Sequence, residues 1–332
     1  MLSLVTVATA LLAGAPPAPA APAAPDDTAT DIEGGTATLR ESLEAASKGY
    51  SDARARLTVS RGRQAALVRQ QIVTEAQVAE LSDDVAALAA AAYRGGKVST
   101  LDAVMDSNSV PTFLSRSSII DQLSTTNNAK ITRLAKARSD QAQQKRQLDT
   151  EIKLQAAQEQ AMAKRKTDAE RALTAVGGGV SGGVSGGASQ TARSAPRNAD
   201  GSLPSQGCTV DDPTTSGCIT PRMLNAYEQA RAAGFTRFTA CTRPASFGEH
   251  PKGRACDFSA AQNTFGGVAT GAEKDYGERL AGYFVDNADR LGVLYVIWFR
   301  QIWLPGTGWR AYDGGNGDPA SDHTNHVHLS VQ

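Results

Sequence analysis

From Leu39 the apolar positions recur in steps of four and three: Leu39, Leu43, Ala46, Tyr50, Ala53 and Leu57. The same alternation returns at Val78, Leu81, Val85, Leu88 and Ala92, in the same heptad register. Such a repeat is the a/d seam of a long helix facing a partner helix. Between the two runs the register falls on Ser60, Gln64, Leu67, Gln71 and Thr74, so the seam is predicted to be weakest in mid-helix. Tyr93-Arg-Gly-Gly96 stops the pattern, as a glycine pair does at a helix end. Residues 97–116 lose the period. Val98, Leu101, Val104, Met105, Val110, Phe113 and Leu114 surround Pro111 there, which predicts one or two short helices at a tip. A second long helix is predicted over about 117–175, with Ile119, Leu123, Ile131, Leu134, Leu148 and Ile152 scattered among Gln, Lys and Arg. Two helices of roughly 85 Å each, at ~1.5 Å per residue, joined by a short tip, predict an antiparallel coiled-coil hairpin over 36–176. The tip carries more apolar side chains than the hairpin seam needs, which points to a docking partner.

The pattern changes twice more. Residues 177–206 are Gly- and Ser-rich, then polar with prolines, and predict a flexible linker without a core. From 207 to 332 short elements follow. Thr220-Pro221 opens a helix to about Ala233, and Phe235–Cys241 alternates as a strand. A helix over about 272–291 puts Tyr276, Leu280, Tyr283, Phe284, Ala288 and Leu291 on one face, Val293–Leu304 is strand-like, and a last strand contains His326–Val331. This is an α+β layout. At the other end, residues 3–14 form an apolar run too short to span a bilayer, and Ala18-Pro-Ala20 offers a cleavage site. Residues 1–20 therefore predict an export signal, although no Lys or Arg precedes the run. Residues 21–35 predict a spacer.

Lys+Arg and Asp+Glu both total 34, so the formal charge is zero, which argues against a nucleic-acid partner. Composition is uneven in a more telling way. All 4 cysteines, all 3 tryptophans and all 4 histidines lie after residue 207. Four cysteines in an exported chain predict disulfides, and the short-loop pairing Cys208–Cys218 and Cys241–Cys256 is the preferred one of three.

The histidines fall in two segments, His250-Pro-Lys-Gly-Arg-Ala-Cys-Asp257 and Asp322-His-Thr-Asn-His-Val-His328. His326 and His328 are two apart in a predicted strand and so share a face. His250 and Asp257 are an odd number apart, but Pro251 and Gly253 allow a turn that brings both into one cavity. Zinc takes imidazole nitrogen and carboxylate oxygen, and a catalytic zinc keeps three protein ligands. His250, Asp257 and His328 would supply that set, leaving His326 and His323. Cys256 precedes Asp257 and would face the opposite side, so a Cys241–Cys256 bond would brace the ligand strand from behind.

His-x-x-Gly-x-Ala-x-Asp, here His250, Gly253, Ala255 and Asp257, with the terminal His-x-His, resembles the zinc motifs of the D-alanyl-D-alanine carboxypeptidase/VanY family. That group includes the penicillin-insensitive murein endopeptidases and the hedgehog signalling domain. The resemblance implies a hedgehog/DD-peptidase type of α+β fold with an antiparallel sheet. It implies zinc on His250, Asp257 and His328, catalysis by His326, and hydrolysis of peptidoglycan stem peptides. His323 and Asp322 match a further His and an acidic residue found in some members, so the general base is left among His326, His323 and Asp322. Arg243 matches a substrate-binding arginine. Gly248 stands where a Ser is usual, and the usual Trp before the second motif is absent. The arm, through Ala-Ala-Tyr-Arg-Gly-Gly at 91–96 and Leu-Asp-Ala-Val-Met-Asp at 101–106, resembles coiled coils of secreted actinobacterial NlpC-type peptidoglycan hydrolases. That implies a membrane regulator of cell-wall hydrolysis as a partner and a secreted, cell-wall-associated protein. Two alternatives belong to other classes: a non-catalytic zinc-stabilised cell-wall binding module, and a coiled-coil scaffold for a membrane partner.

Overall fold

The computed structural model describes residues 35–95, 102, 104–184 and 190–332. The predicted signal, the spacer up to residue 34, Gly96 of the stop signal, tip residues 97–101 and 103, and 185–189 of the linker lie outside the described residues.

The arm is two helices, α1 (Ala37–Gly95) and α2 (Val110–Thr174). The second starts at Val110 rather than near 117. Pro111 is not a breaker there. It sits in the first turn, where its missing N–H has no partner to lose, and Ser109 caps the helix by accepting from the Thr112 amide at 3.3 Å. The helices run antiparallel, and the polar mid-seam is hydrogen-bonded across them. Ser60 Oγ donates to Glu151 at 2.6 Å, Gln155 to Gln64 at 2.9 Å, and Gln144 to Thr74 at 2.9 Å. Met105, Val110, Phe113 and Leu114, near the tip, are exposed. Among the described residues no helix is long and apolar enough to cross a membrane.

The second body begins with a two-stranded ribbon, β1 (Val210–Asp211) and β2 (Cys218–Ile219), followed by α3 (Pro221–Ala232). Thr220 caps α3 by accepting from the Met223 amide at 3.1 Å. Then come β3 (Thr239–Ala240), β4 (Ala255–Ser259), α4 (Gly271–Asp286), α5 (Ala288–Leu291), β5 (Val293–Trp298), β6 (Gln301–Leu304), β7 (Gly308–Ala311) and β8 (His326–Val331). Six strands form one antiparallel sheet in the order β3-β4-β8-β5-β6-β7. The layout is α+β, as the sequence predicts. β4, β5 and β8 are buried along their whole length, so both faces of the sheet are covered.

One face carries Phe258, Val296, Trp298, Val327 and Leu329, packed against Met223 of α3 and Leu280 and Phe284 of α4. The other face is covered by the arm. Leu39 and Leu43 of α1 and Leu173 of α2 join Leu294, Tyr295, Ile297, Ile302, Leu304 and Tyr312 in one buried cluster. Polar contacts fasten the root further. Ser47 Oγ donates to the Leu294 carbonyl. Glu44 accepts from Lys252 at 2.9 Å and from Arg254 at 2.5 Å. Burial works against the charge on Glu44, but Lys252 and Arg254 hold its pKa below the ordinary 4.5. Glu44→Gln should therefore loosen the root by about 1 kcal/mol, the low end for charge-assisted bonds in a partly solvated setting. Faster amide exchange in α1 between 37 and 47 would report it; unchanged exchange would mean the pair is ornamental to docking.

The stretch predicted as a free linker is fastened as well. Val180 bridges to Arg310, and the Ala311 amide donates to the Gly179 carbonyl at 2.9 Å. Further on, the amides of Ala192 and Arg193 donate to Asn287 Oδ1 and Gln229 Oε1, each at 2.8 Å, and Ala192, Ala195 and Leu203 are buried. A chain poor in large side chains can still be held by its backbone amides, which must find partners wherever they are buried.

Candidate metal centre

The site lies on the arm-covered face, at β4 and β8. Asp257 is paired with His328 across the two strands, and Ser259 with His326. His250 reaches them through the turn after it. The Gly253 amide donates to the His250 carbonyl at 3.0 Å, and Gly253 has φ +68°. A Cβ at Gly253 would stand 2.6 Å from Cys208 Sγ and 2.8 Å from Ile219 Cα. Only glycine meets both demands. Gly253→Ala should cost at least ~2 kcal/mol from left-handed strain plus overpacking, seen as a lowered melting temperature. A melt like that of the unaltered protein would show that the turn relaxes freely.

Three atoms converge here. His250 Nε2 is 3.2 Å from Asp257 Oδ1, His328 Nδ1 is 2.8 Å from the same oxygen, and the two nitrogens are 3.3 Å apart. The three residues form a group able to hold a metal ion. Zinc bonds of ~2.0–2.1 Å at tetrahedral angles place donor atoms about 3.3 Å apart, so this donor set fits. The rings are oriented from behind. His250 Nδ1 donates to the Cys241 carbonyl, and His328 Nε2 is hydrogen-bonded to the Ser330 hydroxyl at 2.8 Å. The first bond leaves the lone pair of His250 on Nε2, facing the cluster, and the second fixes the orientation of the His328 ring, which is the second layer a metal-binding histidine needs.

The disulfides are Cys208–Cys218 and Cys241–Cys256. Cys256 lies on the helix-covered face, opposite its neighbour Asp257. The second bridge thus braces β4 from behind. It also anchors Cys241, whose carbonyl holds His250.

The remaining predicted residues divide. His326 Nδ1 donates to Asn325 Oδ1 at 2.7 Å, and its Nε2 lies 3.4 Å from Asp257 Oδ1 without a hydrogen-bond partner. His323 is fully buried, with its ring centroid 4.9 Å from that of His326. Its Nδ1 donates to the Ser321 carbonyl at 3.1 Å, and its Nε2 has no hydrogen-bond partner. Burial, and then His326, His328 and Arg40, push its pKa well below the ordinary 6.5 against the pull of Asp257, so it is neutral at neutral pH. Arg243 Nη1 donates to Asp257 Oδ2 at 2.5 Å. Burial alone would raise the pKa of Asp257, but His250, His326 and Arg243 hold it well below the usual carboxylate range. Asp322 points elsewhere. Its carboxylate pairs with Arg300 at 3.0 Å and accepts from the Gly317 amide at 3.1 Å, tying down the loop before β8.

Three participants escaped the reading of the sequence. Ser330 continues the period-two face of His326 and His328, so the signal was there. Tyr295, stacked on His328 at 5.6 Å and 12°, sits in a strand apolar on both faces and carries no signal. Neither does Phe265, 5.3 Å from His326 in a glycine-containing loop.

Residues 215–327 match the family model described as VldE, C-terminal domain. The match begins just before β2 and ends inside β8, taking in His250, Asp257, His323 and His326 but not the arm. No curated protein and no solved structure matches the chain.

Proposed function

We propose that this chain is an exported zinc peptidase of the cell wall, acting on peptidoglycan stem peptides as a D,D-carboxypeptidase or endopeptidase. The observation that carries the reading is the meeting of His250 Nε2, Asp257 Oδ1 and His328 Nδ1, with the partnerless Nε2 of His326 beside the same carboxylate. Zinc, when bound there, supplies a Lewis acid for a scissile carbonyl and lowers the pKa of a water towards ~7. The chain's own residues do the rest. His326 Nε2, with its ring fixed through Asn325, takes up a proton from the attacking water and delivers it to the leaving amine. Arg243, its side chain 25% exposed beside Asp257, is placed to hold a substrate carboxylate. Two disulfides fit an oxidising compartment. The exposed apolar side chains near the arm's tip offer a surface to a membrane regulator.

The depth of the site favours one other reading, a zinc-stabilised wall-binding module. His250 and His328 are 0% exposed and Asp257 4%, and a closed zinc site needs no substrate. Incubating zinc-loaded full-length protein with purified sacculi separates the two. The peptidase reading expects release of D-alanine or loss of cross-links, abolished by chelation and reduced at least ~100-fold by His326→Ala. Sacculi that sediment the protein but show no new amine would establish the binding module instead.

A further inference from the structure

The arm's root does not merely lie over the sheet. It touches the metal centre through two aromatic rings. Arg40 of α1 is buried, and its guanidinium carbon is 5.6 Å from the ring centres of both Tyr295 and Tyr312. Its Nη1 donates to Tyr295 Oη at 3.3 Å. The Tyr295 ring stacks on the imidazole of His328, and the Tyr312 ring meets His323 edge-on at 6.4 Å. All four aromatic partners are buried. These separations lie within the range where ring pairs and cation–ring pairs attract and hold their mutual orientation.

From this geometry we infer that Arg40 is a positioning residue of the metal centre, supplied by the arm and acting through Tyr295 on His328. The inference rests on the reading that His250, Asp257 and His328 hold zinc. A metal ligand is held by what fixes its ring as well as by its own lone pair. For His328 the contacts that do so include Ser330 Oγ along the edge and Tyr295 across the face. Tyr295 is in turn clamped by Arg40, so the third component of the site enters from more than 250 residues away (255 between Arg40 and Tyr295). Metal affinity and docking of the arm's root are then linked, and by reciprocity zinc must tighten the root as much as the root tightens zinc.

The arrangement is tested by zinc affinity of the full-length protein, measured in competition with a chromophoric chelator, alongside the visible spectrum of the cobalt-substituted protein. Arg40→Met keeps the length and removes the charge and the hydrogen bond. It should weaken zinc binding by about tenfold, the low end for groups one layer behind a ligand, and shift the cobalt bands. Tyr295→Phe, which keeps the ring and loses only the hydroxyl that Arg40 holds, should weaken binding a few-fold and keeps the test alive if Arg40→Met does not fold. Zinc should slow amide exchange in α1 around residue 40 in the unaltered protein. Zinc affinity and cobalt bands unchanged in both Arg40→Met and Tyr295→Phe would overturn the inference while leaving the zinc site standing. An unaltered protein that binds no zinc would overturn the zinc reading and this one with it.

Discussion

The fragment 208–332, cut free of the arm and of the fastened stretch between them (residues 177–184 and 190–207, here the strap), will not fold to a stable monomer. Tyr295, Ile297, Ile302, Leu304 and Tyr312 are each 0–2% exposed in the whole protein, and what covers them is Leu39, Leu43 and Leu173 of the arm. Full burial of such side chains is worth roughly 1.5–3 kcal/mol each. Losing even half of that over five residues removes on the order of 5 kcal/mol, against a total stability of about 5–15 kcal/mol for a typical domain. The strap goes too, so Asn287 and Gln229 lose the backbone amides of Ala192 and Arg193. The uncovered face is a continuous apolar patch, the kind that draws copies together. The expected result is an aggregating fragment without a cooperative melt. A chain in which residues 63–149 are replaced by a short turn keeps the root of both helices and should melt cooperatively as a monomer. A soluble, monomeric 208–332 with a sharp melt would show that the arm is an accessory and not a layer of the fold.

That dependence was hidden in the sequence for a definite reason. Leu39 and Leu43 are a/d positions of the heptad seam, so the hairpin alone accounts for them, and nothing in their spacing announces a second surface. The strap was hidden because its anchoring runs through backbone amides, which leave no side-chain pattern. Pro111 was misleading because the same residue that breaks a helix in its interior begins one at its first turn. β4 showed no alternation because it is buried on both faces. What was legible had a stiff local rule behind it. The shared face of His326 and His328 follows from the strand period. The return of Asp257 to His250 follows from a turn that only Gly253 permits. The helical hairpin follows from the heptads, and even its polar middle kept the register, with Ser60, Gln64 and Thr74 bonded across to α2.

His328→Ala should reduce zinc affinity on the order of a thousandfold. Structural zinc sites bind with roughly 10–16 kcal/mol shared among four donors, so one ligand is worth several kcal/mol. His328 Nδ1 sits 2.8 Å from Asp257 Oδ1 and 3.3 Å from His250 Nε2, so removing it takes away one corner of the donor triangle. Ser330→Ala, which frees only the far edge of the same ring, should cost about 10–100-fold. His326→Ala should leave affinity close to that of the unaltered protein, because its Nε2 approaches Asp257 at 3.4 Å while the group able to hold the metal is completed without it. Metal content after dialysis and competition titrations would rank the three. The order His328, then Ser330, then His326 is what a three-ligand site with an adjacent proton carrier requires. Equal losses from His328→Ala and His326→Ala would instead make His326 a fourth ligand. The position that substrate needs would then be filled by the protein, and the wall-binding module would become the better reading.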